Sequence, residues 1–275
     1  YFRHYQVEKG LSNNTVNFIK QDSKGFMWFA TKDGLNRFDG SQFKVFRMNT
    51  SVKDKNLTKD YIYCILAGEN GMLWVGAQNG LYKFNPEKEA LEIFIDSLPN
   101  VYDLTIDHQG KLWFLSSNMI CRYDFATKKI KEFHPAQYFN ATSLCMSTTG
   151  DIWAASDQGF LKKYDPDRET FTGFDMFVNS KTPSSRYIQK IYGGANNSIY
   201  AGTAAQGLKV FDGNHFTYKD VLTYNPDKTT IFVRDILQND KDEYWIATES
   251  GIFIYNSTSG KISNLKKKFQ DPYSL

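Results

Sequence analysis

The chain has 275 residues, 41% of them hydrophobic and 16% aromatic, and a net charge of only +3. That size and apolar content suit one large folded unit, and the near-neutral balance argues against a nucleic-acid surface; Lys266-Lys267-Lys268, the one basic run, reads as a solvated loop. No apolar run approaches the roughly 18 residues of a membrane helix, no signal peptide is visible, and Cys64, Cys121 and Cys145 lack the spacing of a disulfide or metal framework. The chain opens on Tyr1 rather than Met, which reads as a processed or trimmed piece.

In chain order, Phe2-Arg3-His4-Tyr5 reads as an outer strand with no blade of its own. Val16 to Lys20 alternates and predicts an inner strand. Gln21 to Gly25 is a polar turn, with Gly supplying positive φ and Asp22 able to bond nearby backbone. Phe26 to Thr31 is a second strand, apolar on both faces as in a sheet sandwiched between neighbours. Lys32-Asp33-Gly34 turns the chain into a third strand ending at Phe38-Asp39, and Phe43 to Phe46 is the outer strand.

This grammar recurs. Aromatic anchors stand at Trp28, Trp74, Trp113, Trp153, Tyr200 and Trp245, so successive spacings are 46, 39, 40, 47 and 45 residues. Third strands end in an aromatic followed by Asp or Asn: Phe38-Asp39, Phe84-Asn85, Tyr123-Asp124, Tyr164-Asp165, Phe211-Asp212 and Tyr255-Asn256. A period of about 40–47 residues with four short strands per repeat is the signature of propeller blades. The prediction is an all-β propeller of six four-stranded blades, about 14–47, 60–95, 100–134, 141–175, 186–219 and 231–265, forming a single domain over 1–275. First strands are expected to start near Val16, Ile62, Tyr102, Ser143, Ile188 and Phe232. Leu11-Ser12 and Leu57-Thr58 each precede their Trp by the same 17 residues, and Ser274-Leu275 looks like the same step again. Residues 266–275 thus read as the start of a further repeat, and 1–6 as the strand closing a truncated seven-bladed ring.

The stretch from Asp22 to Gly40 closely resembles the two-component regulator propeller repeat, with its acidic turn, Gly, Trp, Thr, acidic-Gly-Leu step and aromatic-Asp ending. The opening from Tyr5 to Asn14 resembles the start of such ectodomains. The match is weaker in the third repeat, where Ser117-Asn118-Met119 replaces the Gly-Leu step, and in the fifth, where Tyr200 replaces Trp. The resemblance implies the periplasmic sensor region of a hybrid histidine kinase that detects a glycan breakdown product and controls polysaccharide use. It also implies partners in the same polypeptide, a second propeller and a β-sandwich, and dimerisation through the full receptor.

No catalytic constellation stands out. His4, His108, His134 and His215 are scattered without metal-ligand spacing, and neither a nucleophile elbow nor a phosphate loop is present. Neither cofactor nor metal is expected, and the turn aspartates Asp22, Asp107, Asp240 and Asp242 read as caps, because they fit neither a sialidase box nor a calcium loop. The chain therefore reads as a binding module, not an enzyme, with a protein-interaction propeller and a propeller glycosidase or lyase as alternatives. Ligands of propellers usually meet the turns between second and third strands and the residues before the first strands. On that face the candidate ligand-binding residues are Tyr61, Gln78, Asp157, Gln158, Arg186, Tyr187, Gln206 and Arg234.

Overall fold

The computed structural model describes residues 2–48, 60–96, 98–117, 119–134, 139–179, 184–268 and 271. Strands pair with their sequence neighbours into six four-stranded sheets, the blades of an all-β propeller fold. Blade 1 holds β1 (Val16–Gln21), β2 (Met27–Thr31), β3 (Gly34–Phe38) and β4 (Phe43–Phe46). Blade 2 holds β5 (Ile62–Ala67), β6 (Leu73–Ala77), β7 (Gly80–Asn85) and β8 (Ala90–Ile95). Blade 3 holds β9 (Val101–Ile106), β10 (Leu112–Ser116), β11 (Met119–Asp124) and β12 (Lys129–Phe133). Blade 4 holds β13 (Ala141–Met146), β14 (Ile152–Ser156), β15 (Phe160–Asp165) and β16 (Thr170–Asp175). Blade 5 holds β17 (Ile188–Gly193), β18 (Ser198–Thr203), β19 (Leu208–Asp212) and β20 (Thr217–Leu222). Blade 6 holds β21 (Val233–Asp240), β22 (Glu243–Thr248), β23 (Gly251–Asn256) and β24 (Ile262–Leu265). Helical structure among the described residues is confined to three single 3-10 turns.

Contacts divide the chain into two compact units, one of His4–Thr105 with Phe114–Ser117, the other of Tyr1–Arg3, Ile106–Trp113 and Asn118–Leu275. In the first unit Trp28 of blade 1 meets Phe84 of blade 2 edge-on at 4.7 Å. In the second, Trp113 meets Tyr164 at 4.7 Å and Trp153 meets Phe211 at 5.5 Å. In these three pairs the aromatic that closes a third strand is the lid on the preceding blade's Trp. Rings meeting edge to face gain about 0.5–1.5 kcal/mol beyond their burial. Trp28, Trp74, Trp113 and Trp153 are buried. Trp245 is only half-buried and has no ring neighbour among the described residues.

Each Asx after a third strand folds the following turn. Asp39 Oδ1 accepts the backbone N–H groups of Ser41 and Gln42 at 2.8 and 2.9 Å. These bonds hold its carboxyl down at about 2. Asn85, Asp124, Asp165, Asp212 and Asn256 repeat the motif. Gly34 lies at φ +108 with a Cβ position 2.8 Å from the Phe46 carbonyl oxygen, so no larger residue fits that turn. In blade 3, Ser117 takes the left-handed conformation itself, at φ 52.

One local expectation needs correction. Phe2 to Tyr5 take no strand structure, because a strand exists only through a hydrogen-bonded neighbour; Tyr5 instead packs edge-on against Phe38 and Phe43. First strands begin at Val16, Ile62, Val101, Ala141, Ile188 and Val233, each within two residues of the expected start. Leu11-Ser12 is an anchor: Leu11 is buried, and Ser12 exchanges bonds with the buried Asn36 side chain at 2.9 and 2.8 Å. Leu57-Thr58, Asn118 and Ser274-Leu275 lie outside the described residues.

Candidate functional site

One backbone bond recurs in all six blades. The N–H just after the second strand donates to the carbonyl just before the first: Lys32 to Thr15, Gln78 to Tyr61, Ser117 to Asn100, Asp157 to Asn140, Ala204 to Tyr187 and Glu249 to Phe232, at 3.0–3.4 Å. It ties each second-to-third-strand turn to the residue entering the blade, so both groups of candidate residues share one face of their own blade. Beside it, five first strands carry the same register shift, between Val16/Phe18, Ile62/Cys64, Ala141/Ser143, Ile188/Lys190 and Val233/Asp235. The extra residue of such a bulge is unpaired and its side chain is re-aimed. Those residues are Asn17, Tyr63, Thr142, Gln189 and Arg234. Three of them reach the next blade: Asn17 Nδ2 donates to Ile62 O at 2.7 Å, Tyr63 Oη to Asn100 Oδ1 at 3.1 Å, and Thr142 Oγ1 to Ile188 O at 2.6 Å.

In the first unit this produces a step of three tyrosines. Tyr61 and Tyr63 lie 4.6 Å apart, and Tyr63 and Tyr102 4.9 Å apart, between ring centroids. Tyr102 is 40% exposed. Burial pushes the Tyr63 phenol above its ordinary value, and the flanking phenols add to the shift. Lys32 Nζ sits 6.0 Å above the Tyr61 ring. Gln78 is bound into the same face through its backbone, donating to Tyr61 O at 3.0 Å and accepting from Asn100 N at 2.9 Å. The arrangement offers flat aromatic surface edged by amides, which suits a ring-shaped polyhydroxylated ligand.

The second unit holds the other six candidates, and its two arginines are engaged internally. Arg186 donates through Nε to Gln158 O at 2.9 Å and through Nη2 to Asp175 Oδ1 at 2.6 Å, with its guanidinium 5.1 Å from the Phe177 ring centroid. Arg234 pairs with Glu249 and covers Phe232 at 4.1 Å. Asp157 Oδ2 accepts from Asn140 Nδ2 at 2.8 Å, while its buried Oδ1 has no partner among the described residues. Tyr187 is 38% exposed, and its carbonyl binds the turn that carries Gln206. Arg186 and Arg234 therefore brace loops.

The turns at the other ends of the strands serve the core. Asp22 Oδ1 accepts from Lys24 N and Phe26 N at 2.9 and 3.0 Å, while Oδ2 accepts the Trp28 indole N–H at 2.7 Å. Asp107 does the same for Gln109, Lys111 and Trp113. No group of three or more His, Cys, Asp or Glu able to hold a metal occurs among the described residues. Tyr102 was visible in sequence as a residue entering a first strand on this face, while Tyr63 escaped, although a polar residue or tyrosine in second place of each first strand was a visible signal.

Comparison with known proteins follows this geometry. Residues 10–33 match the family described as two component regulator propeller, so the chain carries the repeat its sequence resembles. Over 48 residues, 18% of this chain and 4% of the relative, it is 46% identical to Histidine kinase P4 of Formosa agariphila. Its fold is similar to the extracellular domain assigned to the hybrid two component system BT3049 of B. thetaiotaomicron, with a TM-score of 0.79 at 23% identity over 99% of this chain and 37% of that one. The extracellular domain assigned to BT4673 of the same organism gives 0.81 at 19% identity, over 97% of this chain and 35% of that one. Virginiamycin B lyase of Staphylococcus aureus gives 0.77 at 14% identity, over 95% of this chain and 87% of that one. This chain spans about a third of the length of the two extracellular domains. At these identities the likeness concerns the fold alone.

Proposed function

We propose that this chain is a ligand-binding propeller from the extracytoplasmic, periplasmic part of a hybrid two-component sensor, and that its ligand is an oligosaccharide released from a polysaccharide. The tyrosine step of Tyr61, Tyr63 and Tyr102 carries this reading. Aromatic faces stack on pyranose rings, and Gln78 lies beside them to bond hydroxyls. Binding would act by biasing one ectodomain arrangement over another, as any ligand with unequal affinity for two states does. Kinase output and gene control belong to a longer parent polypeptide, with a second propeller, a β-sandwich and a receptor dimer as partners. The half-covered Trp245 favours a further blade packed over it, as in a seven-bladed ring. This chain is assigned no catalysis and no cofactor.

Calorimetry with defined oligosaccharides, on this chain and on one extended through a second propeller, tests the reading. Tyr102→Ala is expected to abolish binding with an unchanged melting midpoint, because the ring is exposed. Binding that survives this change would sink the tyrosine assignment. Weak binding by this chain and tight binding by the longer one is the expected order, since small-molecule sites enclose most of their ligand. Equal affinity for both would place the complete site within these six blades.

A further inference from the structure

The residues that follow the second strands are Lys32, Gln78, Ser117, Asp157, Ala204 and Glu249, and only Lys32 is basic. Its backbone is pinned, since Lys32 N donates to Thr15 O at 3.4 Å. Its exposed side chain reaches the tyrosine step, with Nζ 6.0 Å from the Tyr61 ring centroid. The negative face of an aromatic ring attracts an ammonium without neutralising it. Among the described residues Lys32 has no carboxylate partner. Arg186 and Arg234 show the opposite condition, each paired with a carboxylate.

The carboxylates nearest the step in the chain are committed elsewhere. Asp33 holds the Arg47 guanidinium at 2.8 Å. Asp60, next to Tyr61, accepts from Met48 N at 2.6 Å. Asp103, next to Tyr102, is buried and accepts from Leu104 N at 3.1 Å. The groups acting on the Tyr63 phenol are its buried surroundings and the two flanking phenols, not a carboxylate. The Tyr63 hydroxyl is a neutral donor, aimed at Asn100 Oδ1 at 3.1 Å. The charge that faces the rings is therefore the Lys32 ammonium.

We propose that the ligand of the tyrosine step is an anionic saccharide, with a carboxylate or sulfate group on Lys32 and its sugar rings along Tyr61, Tyr63 and Tyr102. This rests on the step being the sugar-binding surface. Three tyrosines in succession suit a chain of sugar residues rather than a single one. An ammonium is a compact point charge, so Lys32 favours an anion without choosing between the two groups. An uncharged sugar would leave it solvated by water alone.

Calorimetry on the intact chain tests this with two matched pairs: trigalacturonate against its uncharged methyl ester, and a sulfated galactotriose against galactotriose. An anionic form is expected to bind about three- to fivefold more tightly than its neutral counterpart, the strength of an exposed ion pair. Lys32→Gln is expected to erase that preference, Lys32→Arg to keep it, and salt at about 0.5 M to shrink it. A preference in one pair only would support the proposal for that group, carboxylate or sulfate. Equal binding within both pairs, still abolished by Tyr102→Ala, would overturn the anionic ligand and leave the tyrosine surface standing. Binding that survives Tyr102→Ala would overturn the surface itself. A preference that persists in Lys32→Gln, or no binding of any of these sugars up to roughly 10 mM, would also overturn the proposal.

Discussion

Blades 1 and 4 bury an indole at the same place in the strand, yet only one satisfies it. In blade 1 the Trp28 N–H reaches Asp22 Oδ2 at 2.7 Å. In blade 4 the residue six positions earlier is Ser147, whose hydroxyl is occupied with Thr149 Oγ1 at 2.8 Å and Asp151 N at 3.2 Å. The buried Trp153 N–H has no acceptor among the described residues. Ring packing against the next blade is comparable, at 4.7 and 5.5 Å to Phe84 and Phe211. The repeat thus separates two contributions that usually come together, apolar burial of the ring and satisfaction of its one polar atom. The first is kept in both blades, and the second is dispensable at a cost of about 1–3 kcal/mol.

The largest effect is expected from the ring itself. Trp28→Ala is expected to cost about 3–5 kcal/mol in denaturant unfolding through the cavity it leaves, and Trp74→Ala about the same. A Trp28→Ala midpoint equal to that of the parent would break the assignment of these rings to the core. Next comes the acceptor: Asp22→Ala removes three bonds and strands the indole, for about 2–3 kcal/mol, whereas Ser147→Ala is expected to cost under about 1 kcal/mol. Equal losses at both sites would erase the distinction between the blades. The converse change sharpens it. Ser147→Asp is expected to add about 1 kcal/mol and raise the melting midpoint, provided the new carboxylate reaches Trp153, which the shift of that indole's NMR resonance reports.

The smallest effect concerns the blade edges. Glu89 is held by Lys44 and Arg37, and Glu169 by Lys131 and Arg122, each lowering the carboxyl below its usual range, with the lysine the larger cause. A depressed folded value means the stabilisation is present above the unfolded carboxyl range, near pH 4.3, and is lost as pH falls through the folded value. Acid unfolding of Glu89→Gln or Glu169→Gln is therefore expected to differ from the parent slightly at neutral pH and to converge with it below about pH 4. A difference that persists at pH 3 would point to packing rather than charge.

The tandem spacing of anchors and the aromatic-Asx endings determined the fold by themselves, because four short strands per repeat leave one way to bury two apolar sheet faces. Turn chemistry was equally legible: Asp39 and its five counterparts fold their turns with bonds spanning only two or three residues. The partners of the rings were decided by tertiary structure alone. Phe84 covers Trp28 from 56 residues away, and no local pattern sets that pairing. The same holds for the candidate site. Tyr61, Tyr102 and Gln78 could be named from their places in the repeat, but Tyr63 joined them only through the packing of its ring between Tyr61 and Tyr102, helped by the strand bulge. Arg186 and Arg234 looked like free cations in sequence and are held by Asp175 and Glu249 in space. Local order follows from short-range hydrogen bonds that a sequence spells out. Which side chains remain open to a ligand depends on neighbours that only the packed chain supplies.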